Sequence, residues 1–93
     1  MKVYRDVFGN PLTKQDVATA ARLIVQMKRA TTSLLTRRLG WGYGKAFRMM
    51  ELLEDAGVVS LMDGSRGRRV ILKNEDTAIN AALRQRNKGK VHA

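Results

Sequence analysis

Arg48 and Glu51 are the side chains whose types and spacing best suit a chemical task in this sequence. Three residues apart on a helix, they share a face. A guanidinium there can donate to guanine O6 and N7, while the carboxylate accepts from a cytosine amine or buttresses the arginine. Gly44 lies on the same face four residues before Arg48, and Lys45 stands at its border. At about 100° per residue, Ala46, Met49, Met50 and Leu53 gather on the opposite side as a core-facing stripe. An ordinary amphipathic surface helix would have the same two faces, so the remainder of the chain must decide between the readings. Catalysis has little to build on: there is no nucleophile–histidine pair and no metal-ligand cluster, and His92 stands alone in the tail. No cofactor or metal is expected, and the chain is read as a non-enzyme.

These residues need a scaffold, and the stretch from Thr32 to Glu54 reads as a helix-turn-helix. The pattern predicts a first helix over Leu34 to Leu39 with Ser33 as N-cap. Gly40, Trp41 and Gly42 make a tight corner, and a second helix runs from Tyr43 to Ala56 before Gly57 stops it. Upstream, Thr13 and Asp16 resemble a weak capping box opening a helix to about Met27, with Val17, Ala20, Ala21, Ile24 and Met27 at helical spacing. Lys28 and Arg29 suit its C-terminal dipole, and residues 30–32 leave room for a very short strand. Downstream, residues 58–62 and 70–72 are β-prone and flank a basic segment whose Asp63-Gly64 pair signals a hairpin turn. Helix, helix-turn-helix, then hairpin gives a mainly α fold with a small β-hairpin, a winged helix-turn-helix over residues 13–73. A wing normally lies along the DNA backbone; the alternative is a flexible hairpin whose arginines only aid solubility.

Residues 1–12 form an N-terminal arm, extended over Lys2 to Phe8 and ending in the turn signal Gly9-Asn10-Pro11. Residues 74–93 form a C-terminal helix, predicted over Asn74 to Asn87, followed by a basic tail. Its stripe of Ile79, Ala82, Leu83 and Arg86 either lies back on the domain or pairs with another copy.

Charge shifts the balance towards a polyanionic partner. The chain carries 18 Lys and Arg against 8 Asp and Glu, a net charge of +10, with a pI near 11.0. In so small a domain this is an electrostatic footprint for nucleic acid. No acidic residue interrupts Val17 to Met50, whereas Arg22, Lys28, Arg29, Arg37, Arg38, Lys45 and Arg48 all lie there. Arg66, Arg68, Arg69 and Lys73 form a second acid-free block, and Arg84, Arg86, Lys88 and Lys90 a third. With zero cysteines there is no disulfide framework and no thiolate metal site, so an intracellular, cytoplasmic setting is expected, nucleoid-associated if the partner is DNA. No run approaches the roughly 18 apolar residues of a membrane span, and few aromatics are present for an RNA-stacking platform.

The segment from Ala30 to Glu54 resembles the C-terminal gamma domain of the FtsK/SpoIIIE-type DNA translocases. The residues that carry the likeness are Thr31, Ser33, Leu34, Leu35, Arg37, Arg38, Leu39, Gly42, Tyr43, Lys45, Ala46, Arg48 and Glu54. Gly57-Val58-Val59, Asp63-Gly64-Ser65 and Val70-Ile71-Leu72 continue it, so that it spans roughly Asp16 to Lys73. The resemblance implies a winged helix that binds short, G-rich, directional duplex sequences and also touches a tyrosine recombinase. The family's base-reading Asn, Arg and Glu fall here on Gly44, Arg48 and Glu51; Gly44 has no side chain to read a base, which implies a related but altered target. The motor is absent from this segment. Gly40 to Ala46 imitates a phosphate loop but is one residue short and puts Ala46 where a magnesium-binding hydroxyl is needed. It also lacks the spacing of a dinucleotide fingerprint.

Taken together, these readings make the chain a sequence-specific double-stranded DNA-binding protein. Gly44, Lys45, Arg48 and Glu51 are the base-reading positions; Ser33, Arg37, Arg38 and Tyr43, with Ser65, Arg66, Arg68 and Arg69 of the wing, hold the backbone. The expected role is that of a small regulator of transcription, recombination or segregation in a bacterium, phage or mobile element, acting as a homodimer or as tandem copies. The alternatives are a module acting on a protein partner such as a tyrosine recombinase, and a non-specific architectural binder.

Overall fold

The computed structural model describes residues 2–62 and 67–88. Four helices follow in order: α1 (Lys14–Met27), α2 (Thr32–Leu39), α3 (Tyr43–Asp55) and α4 (Glu75–Lys88). Thr13 caps α1 as its spacing implies, its hydroxyl accepting from the Asp16 N–H at 3.1 Å. The periodic residues Val17, Ala20, Ala21 and Ile24 are all fully buried. Lys28 closes the helix in the left-handed region, at φ 54°, with its N–H turned back to the last carbonyls.

The cap of α2 differs from the expected one. Thr31, not Ser33, is the N-cap, its hydroxyl accepting from the Leu34 N–H at 3.1 Å, so the helix starts two residues earlier. Thr31 is extended at φ −125°, as an N-cap must be, whereas Ser33 is already inside the first turn. We therefore expect Thr31→Ala to cost about 1 kcal/mol of stability and Ser33→Ala to stay within about 0.5 kcal/mol, both measured by urea unfolding. At the corner Gly40 takes φ 69°, which closes α2 and aims the chain into α3. The core stripe of α3 is as expected, with Ala46, Met49, Met50 and Leu53 fully buried and Leu52 added to them.

Helix α4 lies back on the domain, packing most extensively on α1. The buried face is Ala78, Ala81 and Ala82, flanked by the half-buried Ile79 and Leu83, so it is rotated towards the alanines from the predicted stripe of Ile79, Ala82, Leu83 and Arg86. Alanines on both partners explain this, because small side chains let two helices approach closely along the shared seam. Tyr4 and Leu12 of the arm join the same core as all four helices.

After Gly57 the pairing amounts to isolated bridges, Val59 with Val70 and Ala30 with Arg68, both antiparallel. The Ser60 N–H donates to the Arg69 carbonyl at 2.8 Å, but the Arg69 N–H donates to the Ser60 hydroxyl instead of a carbonyl. The Val58 carbonyl accepts from both Ile71 and Leu72. Side-chain and doubled acceptors interrupt a regular ladder, so no continuous strand forms among the described residues. The turn expected at Asp63-Gly64 lies outside the described residues, as do Ser65 and Arg66.

Candidate nucleic-acid interface

Helix α3 presents its unburied face between the corner at Trp41 and the segment after Gly57. Arg48 is half exposed and its Nη1 donates to Glu51 Oε1 at 2.9 Å, so the pair singled out from the sequence is assembled. Glu51 has a second partner. Lys2 of the arm reaches its Oε2 at 2.9 Å and also donates to Asp55 Oδ2 at 2.9 Å. The hydrogen bond from Lys2 holds the Glu51 carboxyl below its ordinary range; burial pushes the other way, and Arg48 reinforces the lowering. Burial also pushes Asp55 up, yet hydrogen bonds from Tyr4 and Lys2 leave it below the usual carboxylate value. In turn Glu51 and Asp55 hold the Lys2 ammonium well above its ordinary value. Burial, then the bond to Asp55, pushes the Tyr4 hydroxyl up to about 12.

Lys45 is drawn into the fold. Its Nζ lies 2.7 Å from Asp16 Oδ2 of α1 and 4.3 Å from the centroid of the Trp41 ring. It therefore ties α3 to α1 and to the corner, with a cation–π contact on one side and a carboxylate on the other. Gly44 does not lie open. A Cβ built there would overlap Val7 Cγ1, so the arm fills the space that a side chain would take.

Among the backbone-holding candidates, the described residues divide. Ser33, Arg37 and Arg38 are exposed along α2, and none of the ion pairs among the described residues involves either arginine. Tyr43 is exposed at the start of α3, its ring stacked on Phe47 with centroids 6.0 Å apart. Arg69 is exposed, but Arg68 is not. Its side chain is only 9% exposed and its Nε lies 3.2 Å from Glu54 Oε2, an ion pair made within the fold. Neighbouring residues on an extended chain point to opposite faces, which turns Arg69 out and Arg68 in.

Residues 14–73 match the family profile of the Ftsk gamma domain, well over half of the chain. The chain belongs to the FtsK gamma domain family. Similar curated proteins agree. The DNA translocase FtsK of Chlorobaculum tepidum is 52% identical over 58 residues, 62% of this chain and 7% of the translocase. That of Corynebacterium glutamicum is 40% identical over 75 residues, 81% of this chain and 8% of the translocase. That of Clostridium tetani is 40% identical over 57 residues, 61% of this chain and 8% of the translocase. The chain thus spans less than a tenth of the length of these relatives. No solved structure matches it.

Within this gamma domain the matched segment holds α1, α2 and α3 but omits the arm and α4. Sequence reasoning missed Lys2, Tyr4 and Val7, which reach α3 across more than thirty residues of chain. The arm has no periodic pattern, so only the unusual glycine at position 44 hinted that something approaches the helix closely. Among the described residues no helix is long and apolar enough to cross a membrane, and no group of three or more His, Cys, Asp or Glu could hold a metal ion.

Proposed function

We propose that this gamma domain binds double-stranded DNA sequence-selectively by placing α3 in the major groove. The observation that carries the reading is the exposed Arg48–Glu51 pair on the outward face of α3, in a chain of net charge +10 whose relatives are DNA translocases. Arg48 donates to guanine O6 and N7, and Glu51 aligns it or accepts from a neighbouring cytosine. Ser33, Arg37, Arg38, Tyr43 and Arg69, with Ser65 and Arg66 in the wing, supply the sequence-independent phosphate contacts. Arg68 acts only indirectly, by seating the extended segment that carries Arg69. The fold is read as a winged helix whose hairpin spans residues 58–72, and the target as G-rich. A domain of this size covers few base pairs, so tandem copies or a dimer raise affinity on DNA. The chain works as a non-enzymatic regulator of transcription, recombination or segregation, on the nucleoid.

Selection of bound sequences from a random duplex pool at fixed ionic strength tests this. The expected result is enrichment of a guanine-containing motif, with affinity falling steeply as salt rises, because released counterions dominate phosphate binding. Absence of enrichment together with salt-insensitive binding would contradict it. One observation favours a second reading, a module that contacts a protein partner such as a recombinase: Val7, Phe8, Tyr43 and Phe47 are all exposed apolar residues on the arm and α3. Salt-resistant capture of the recombinase would support that reading.

A further inference from the structure

The outward face of α3 already has an occupant. Residues 4–12 fold back on themselves: the Leu12 N–H donates to the Tyr4 carbonyl at 2.8 Å, and Arg5 bridges Pro11. Asp6 holds the tip by accepting from the N–H groups of Phe8 and Asn10 at 2.9 and 3.0 Å. The leading limb of this fold lies along α3 and runs antiparallel to it. Lys2 is paired with Glu51 and Asp55, the buried Tyr4 donates its hydroxyl to Asp55, and Val7 covers Gly44. At about 100° per residue, positions 44, 51 and 55 fall in one narrow stripe. Tyr43 and Phe47 border it on one side and Arg48 on the other, so the limb occupies its middle.

Two of these three positions, Gly44 and Glu51, belong to the base-reading set. The occupation is chemical as well as steric. The Lys2 ammonium gives Glu51 the donor that a cytosine amine would give, and Val7 fills the hollow that Gly44 leaves. A helix with its side chains is about 10–12 Å across, and the major groove is about 12 Å wide. A second chain segment along the same face leaves no room for entry.

The geometry points to residues 2–8 as an intramolecular competitor of duplex DNA for the outward face of α3. This rests on the reading of α3 as the DNA-contacting helix. The state with the limb docked is closed to the groove, and the apparent dissociation constant is the intrinsic one divided by the fraction of molecules with the limb released. The limb is held by the exposed Lys2 ammonium, whose surface ion pairs are weak, and by Tyr4. The Tyr4 ring is buried and its hydroxyl donates to Asp55 and accepts from Gln85 Nε2 at 3.0 Å, so release gives up the packing of that ring as well as the ion pairs. Its root stays fixed, since Leu12 is buried and its carbonyl accepts from Arg86 Nε at 2.6 Å.

The test uses the whole 93-residue chain and the labelled duplex recovered from the random pool. Lys2→Gln combined with Tyr4→Phe removes the ammonium and the hydroxyl while keeping an aromatic ring in the core. Losing a positive charge alone would weaken phosphate-dominated binding, so tighter binding cannot come from charge. We expect a gain of about 5- to 30-fold as the released fraction rises. Gly44→Ala gives a second route, because the new methyl group overlaps Val7 and lifts the limb. Adding Val7→Ala, which leaves only a Cβ 3.7 Å from the new methyl, lets the limb settle again and lowers affinity relative to Gly44→Ala alone. In the wild-type chain, the nuclear Overhauser contact between the Val7 methyls and the Gly44 α-protons vanishes when duplex is added. Equal or weaker binding by the loosened variants, or persistence of that contact in the complex, overturns the competition while leaving DNA binding intact. Failure of both wild type and variants to bind any duplex overturns the DNA reading, and the competition with it.

Discussion

Arg68→Ala is expected to lower the stability of the fold by about 1–2 kcal/mol, below the range for breaking a fully buried ion pair because the contact is only partly buried. The reason is what the substitution leaves behind. Glu54 is only 18% exposed, and Arg68 Nε at 3.2 Å is its ion-pair partner among the described residues. Removing the guanidinium strands a carboxylate in a poorly hydrated place, which costs more than the pair itself contributes. Arg68 also stands at the bridge to Ala30, so the strain falls where the segment before α2 meets the extended segment around Arg68. In a domain of this size each 1 kcal/mol moves the melting temperature by about 4–8 °C, so a fall on the order of 10 °C should appear in a circular-dichroism melt. Replacing both partners with apolar residues, Arg68→Met with Glu54→Leu, should recover most of the loss, because no charge is then left unpaired. An unchanged melting temperature in Arg68→Ala, accompanied by weaker DNA binding, would return Arg68 to the phosphate-contacting surface that its sequence context implies.

The second large effect concerns Arg48, where the loss should appear in binding and not in folding. Its side chain is 53% exposed and its contact with Glu51 is an i,i+3 surface pair, worth about 0.2–0.5 kcal/mol. Glu51 keeps Lys2 when Arg48 is removed, so no carboxylate is stranded. Stability should therefore stay within about 0.5 kcal/mol of wild type. Binding to the selected duplex should weaken by about 1–3 kcal/mol, the worth of one bidentate guanine contact.

The contrast between these two arginines marks what could be read in the chain. Periodicity in α1 and α3 places Val17, Ile24, Met49 and Leu53 in the core, because a helix repeats its inward face every three or four residues and the sequence displays that repeat directly. Gly40 could be placed at the corner for a similarly local reason: its φ of 69° is a conformation that other residues adopt at a cost. The Arg48–Glu51 pair is legible too, since three residues on a helix bring two side chains together whatever else the fold does.

Arg68 was illegible because its direction depends on register. Within Arg68-Arg69 nothing local distinguishes the residue that points in from the one that points out; the bridge to Ala30 and the nearby Glu54 decide it. The arm was illegible for a related reason. Lys2 and Tyr4 find Asp55 more than fifty residues away, through contacts that leave no periodic trace. Thr31 and Ser33 are both good caps, and the choice between them follows from where the short segment at Ala30 releases the backbone into the helix.

The most direct test of the central claim titrates the wild-type chain and Arg48→Ala against a set of duplexes, each carrying one base-pair change in the selected site. Wild type should discriminate at every contacted position, whereas the variant should lose discrimination at a single guanine and retain the rest. If Arg48→Ala kept the full wild-type ranking of duplexes, α3 would not be reading bases through this arginine, and the proposed mode of recognition would be contradicted.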